Sequence, residues 1–77
     1  MKLTITDTNF TNSKDWIFKL SDIDSNSYFV MNAEYYKHLD LKSPITKKHL
    51  DYFDKGLVIE AQIKTFDDIK VVVSILE

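Results

Sequence analysis

The sequence predicts a mainly β domain of α+β type, with five strands and one helix between the third and the fourth. Three observations predict it. Both ends of the chain alternate apolar and polar residues with a period of two, and the middle switches to a helical period between a proline start and a glycine stop. Clusters of Asn, Asp and Ser separate the alternating runs. There is no internal repeat, linker or low-complexity tract, so residues 1–77 are read as one domain.

The first strand covers residues 2–10, where Leu3 and Ile5 face one way and Lys2, Thr4 and Thr6 the other. Asn12-Ser13-Lys14-Asp15 is a turn cluster. After it Trp16, Phe18 and Leu20 alternate with Ile17, Lys19 and Ser21 in a second strand, joined to the first as a hairpin. Residues 22–27 are turn-rich again, and Tyr28-Phe29-Val30-Met31 makes a third strand. Residues 32–39 fit two descriptions equally, a short helix capped by Asn32 or a continuation of the third strand through Tyr35.

Ser43-Pro44 is a helix start, because the hydroxyl can accept an orphan N–H and proline at the first position lacks only a donor that would be unused. Lys55-Gly56 is the matching stop. Between them Ile45, His49, Leu50 and Phe53 fall on one face of a helix of about 12 residues. Leu57, Ile59, Ala61 and Ile63 then alternate with polar residues, Phe66-Asp67-Asp68 supplies a turn, and Ile69, Val71, Val73 and Ile75 alternate in a fifth strand.

Composition removes several function classes. Without cysteine there is no disulfide framework, thiolate metal site or cysteine nucleophile. The longest apolar run, Tyr28 to Met31, is far short of the roughly 20 residues that span a bilayer, so no membrane partner is expected. The N-terminal residues lack the apolar centre of a signal peptide, which predicts a cytoplasmic protein, and the sequon Asn9-Phe10-Thr11 is read as chance. A net charge of −2 argues against coating duplex DNA, although a local basic strip remains compatible. All ten cations are lysines, and bidentate reading of guanine edges is chiefly arginine's work. Codon bias of an AT-rich genome accounts for the same excess of Lys, Asn, Asp and Ile.

Three strands, a capped helix and two more strands is also the element order of a small five-stranded antiparallel barrel. In that order, in the early aromatic strand Trp16-Ile17-Phe18-Lys19-Leu20-Ser21-Asp22, and in the glycine-led segment Gly56-Leu57-Val58-Ile59-Glu60-Ala61-Gln62-Ile63, the chain resembles the oligonucleotide/oligosaccharide-binding (OB) superfamily. The resemblance is architectural and carries no diagnostic motif; an open sheet with the helix on one face is the alternative. It implies a binding face on strands two and three that presents aromatic rings to successive bases, with lysines along the backbone. The nucleic-acid-binding candidates are Trp16, Phe18, Tyr28 and Tyr35, with Lys19, Lys37, Lys47 and Lys48, and Lys14 near them. The competing reading puts Trp16 and Phe18 in the core, since the second and third strands offer few other residues to fill it.

Other constellations have plainer explanations. His38 and His49 lack a third ligand at a zinc spacing. The run Asp22-Ile23-Asp24-Ser25-Asn26 lacks the glycine and the glutamate of a calcium loop, with Ser27 and Ala33 in their places, and fits a polar hairpin turn. Asp67-Asp68 has no placed acid–base partner. One glycine cannot build a phosphate loop, so neither a catalytic site nor a cofactor is expected.

The leading expectation is a nonenzymatic binding module, an accessory subunit in DNA replication or processing of a phage or mobile element, with weak affinity for single-stranded DNA. Similarity to small accessory proteins of phages and mobile elements of low-GC bacteria, in size and composition, points the same way. Its small size and negative charge imply a larger protein partner, such as a polymerase, primase, helicase or host target. The alternative is a phage-encoded inhibitor that binds a host protein through acidic patches, to which nine aspartates concentrated in turns are suited. A homodimer through an unpaired edge of the fifth strand is a further expectation.

Overall fold

The computed structural model describes residues 1–9 and 15–76. The sequon Asn9-Phe10-Thr11, the turn Asn12-Ser13-Lys14 and the candidate Lys14 lie outside these described residues, wholly or in part. Five strands form one sheet: β1 (Lys2–Thr8), β2 (Trp16–Ser21), β3 (Ser27–Met31), β4 (Val58–Phe66) and β5 (Ile69–Leu76). Two short helices, α1 (Ala33–His38) and α2 (Lys47–Tyr52), lie between β3 and β4. The strand order is β1-β2-β3-β5-β4, and β4 pairs back onto β1, so the sheet closes on itself.

The closed sheet corrects three expectations. It is mixed rather than purely antiparallel, because β3 and β5 run parallel at Phe29 and Val71. The cause is the long connection after β3: it delivers β4 antiparallel to β1, and the tight hairpin that follows returns β5 alongside β3 in the same direction. For the same reason β5 lies between β3 and β4 in the strand order, rather than at the sheet edge on which a homodimer was expected.

The third correction concerns the helices. Residues 32–39 take the helical alternative, and the Asn32 side chain accepts the Tyr35 N–H at 3.1 Å as an N-cap. The second helix is half the expected length. Ser43-Pro44 does not start it; Ser43 Oγ instead accepts the Ile45 N–H, and α2 begins after Thr46. There the Thr46 N–H donates to Nδ1 of His49 at 3.0 Å, so a histidine does at the third helical position what Glu or Gln does in a capping box. Gly56 is not the helix stop. It sits in a turn closed by the Leu57 N–H on the Asp54 carbonyl, with φ +88°. From there its own N–H joins the Ile5 carbonyl and leads the chain into β4.

The interior of the closed sheet holds Leu3, Ile5, Phe18, Leu20, Tyr28, Val30, Ile59, Ala61 and Val72, and Phe53 closes it from the end of α2. Phe53 meets Phe18 edge-on at 5.3 Å between centroids. In β4 the expected alternation holds, with Ile59 and Ala61 buried and Leu57 and Ile63 packed against them. In β5 it breaks. The register with β4 shifts between Gln62 and Ile63, which leaves an extra residue at Val73, so Val72 and Ile75 pack on the interior instead of Val71 and Val73.

Candidate binding face

A second bulge decides what the outside of the sheet presents. The β2–β3 register shifts between Trp16 and Phe18, so Ile17 packs toward the interior together with Phe18. Trp16, which strict alternation would place inside with Phe18, is released to the outer face. There it joins Phe29, whose neighbours Tyr28 and Val30 point inward. Met31, Tyr36 and Val71 form the buried floor of this outer cluster, with Trp16, Phe29, Tyr35 and Phe66 packed around them.

The cluster is tied to the sheet by one phenol. Tyr36, fully buried on α1, accepts the Met31 N–H at 3.1 Å and donates to the Val72 carbonyl at 2.6 Å. Its hydroxyl thus bridges β3 and β5 beyond their pairing at Phe29 and Val71 and satisfies one backbone group of each. Burial pushes the Tyr36 phenol up from its ordinary value, so it remains a neutral donor. Tyr35 beside it meets the Tyr36 ring edge-on at 6.1 Å.

Above this floor lies an open groove of about 310 Å³ lined by Asp15, Trp16, Phe29, Met31 and Ile69. The Trp16 and Phe29 rings stand 6.1 Å apart and tilted by 49°. The surrounding charge is mainly negative. Asp15 is in the wall, and the exposed turn Asp67-Asp68 joins Phe66 to Ile69. Both turn residues have positive φ, as a two-residue hairpin requires and aspartate tolerates. Among the described residues two cations are on this face: Lys19, which pairs in register with Phe29, and Lys64, which pairs in register with Val71.

The candidates named from the sequence therefore separate. Trp16 lines the groove and Tyr35 flanks its floor. Phe18 and Tyr28 are in the core, at 0% and 4% exposure, and offer no ring to a ligand. Lys19 borders the groove, whereas Lys37 on α1 is exposed and ion-paired with Glu34 at 3.7 Å. Lys47 and Lys48 are exposed on α2 and are not among the groove residues. Phe29, Met31 and Ile69 were not singled out by sequence. Phe29 and Met31 are legible only once the inward face of β3 is known, and Ile69 only once β5 is known to lie beside β3.

The polar turn between β2 and β3 serves itself. Asp22 Oδ1 accepts the N–H groups of Asp24 and Asn26, both at 2.9 Å, while Oδ2 accepts Asn26 Nδ2 at 3.0 Å and the Tyr28 hydroxyl at 2.7 Å. The Tyr28 and Asn26 bonds hold the Asp22 carboxyl down at about 2. The same bond to Asp22 pushes the Tyr28 phenol up. The Lys70 ammonium lies 5.5 Å from the centre of the Tyr28 ring. Among the described residues no group of three or more His, Asp or Glu side chains could hold a metal ion, and no helix is long and apolar enough to cross a membrane. Comparison of the chain with protein-family models, with curated proteins and with solved structures found no match.

Proposed function

We propose that the chain is a nonenzymatic OB-type binding module, an accessory subunit that acts with a larger protein, and that the groove beside Trp16 is its ligand seat. The observation that carries this reading is the open apolar groove on the outer face of β2 and β3, flanked by the β4–β5 turn. In OB folds that strand face and that loop are the places where ligands bind. The cyclic strand order, with helices between β3 and β4, supports the same fold. A role in DNA replication or processing follows from the fold analogy alone.

The experiment is affinity capture from the cells that encode the protein. Wild type is expected to retain a protein partner that the Trp16→Ala variant loses and that the Lys47→Glu, Lys48→Glu double variant keeps. The reverse pattern would move the binding face to α2. A second reading, single-stranded nucleic acid stacked on the same platform, is favoured by Lys19 standing in register with Phe29 beside the Trp16 ring. It predicts salt-sensitive binding of a labelled single strand with quenching of Trp16, the single tryptophan of the chain.

A further inference from the structure

We infer that the groove takes a short segment of a partner protein in which a bulky apolar side chain stands next to lysine or arginine. This rests on the binding-module reading and adds the chemistry of the ligand. The apolar part follows from the lining. Trp16 and Phe29 form the walls, Met31 supplies a floor that adapts its shape to what packs on it, and Ile69 remains 37% exposed at the open side. A partly buried tryptophan at the mouth of an apolar depression is the kind of residue on which protein interfaces concentrate their energy.

The cationic part follows from the rim. Asp15 in the groove wall and Asp67 and Asp68 in the turn that leads into Ile69 are all exposed, and none of the three is in an ion pair among the described residues. Against these three carboxylates the described part of the face carries two cations, Lys19 in register with Phe29 and Lys64 in register with Val71 of β5. A single strand lying here would bring its phosphates toward carboxylates, the opposite of the cationic track that strand-binding grooves use. A lysine or arginine beside the seated apolar residue meets the sign it needs, and rim charges of this kind select partners and speed encounter.

The test begins with a library of short random peptides displayed on phage and selected on the immobilised protein. Passage over the Ile69→Lys protein removes binders that do not use the groove, and Trp16→Ala serves as a second groove variant in case charge at Ile69 disturbs β5. The expected survivors combine Leu, Phe or Trp with Lys or Arg. One such peptide, its counterpart with Glu in place of the cations, and an all-thymidine single strand are then titrated while NMR follows the Trp16 indole and the Met31 and Ile69 methyl groups. The selected peptide should shift these signals to saturation, and the Glu counterpart should bind at least about tenfold more weakly. The Asp15→Lys, Asp68→Lys double variant should weaken the selected peptide by a similar factor and remove the salt dependence of its binding.

Failure to enrich any groove-dependent peptide overturns the inference, and so does equal binding of the Glu counterpart. If the thymidine strand shifts the groove signals and the peptides do not, the peptide inference falls while the binding-module reading stands. If no probe shifts them and Trp16→Ala leaves partner capture intact, both fall.

Discussion

Tyr36 shows how much one side chain can carry in a domain of this size. Its hydroxyl is a partner of both the Met31 N–H and the Val72 carbonyl, so Tyr36→Phe removes two hydrogen bonds to buried backbone groups while keeping the ring. The expected loss is about 2 kcal/mol or more, read from urea denaturation, against little change if water can take the place of the hydroxyl. Asp22 gives a pH signature. Its carboxyl titrates at about 2 when folded and near 3.8 when not, so its contribution is complete above the unfolded value and is lost as pH falls from about 4 toward 2. The melting temperature should therefore drop over that window, and Tyr28→Phe, which removes the largest cause of the depression, should raise the Asp22 value measured by NMR and flatten the drop. Phe18 and Trp16 stand two residues apart and answer to different assays. Phe18→Ala should cost about 4 kcal/mol of stability, whereas Trp16→Ala should cost much less and act on ligand binding.

Among the elements, the short connections are held by local chemistry that can be tested singly. Gly56 has φ +88°, yet a Cβ built there would meet nothing within 4 Å. Gly56→Ala should thus cost only the left-handed strain, about 1–2 kcal/mol in thermal or urea unfolding; a larger loss would mean that the turn before β4 had been displaced. The strands were largely legible in the sequence, because a half-buried strand writes its period of two into the residues, as Leu3 and Ile5 or Ile59 and Ala61 do. The helices were less so. Ser43-Pro44 and Lys55-Gly56 are sound start and stop signals by propensity, but the chain used the first as a turn and the second as the entry to β4, and the capping chemistry went to Thr46 and His49. A histidine in place of Glu or Gln hid the true start.

For the molecule as a whole, the bulges at Ile17 and Val73 explain why the binding face was only partly readable. Without the shift at Ile17, Trp16 would belong to the interior with Phe18; without the one at Val73, Val71 and Val72 would have exchanged sides. Neither shift leaves a mark in local composition, since each depends on what the partner strand offers. The lysines named from the sequence were identified by charge alone, and the fold distributes them over α1, α2 and β2 instead of gathering them into a strip. Two apolar bodies thus share the same strands back to back, one enclosed and one facing outward, which is why single substitutions should separate stability from binding.

The pairing of β1 with β4 also sets an order of events. Leu3 meets Ile59 across a long stretch of sequence, so the ring cannot be joined until β4 has left the ribosome. Until then the meander of β1, β2 and β3 stands with both margins open, and joining them is a slow, long-range step compared with forming any of the hairpins. Nascent chains of this protein therefore pass through a stage in which their strands can be matched by a neighbour's, and the completed circle is what ends it.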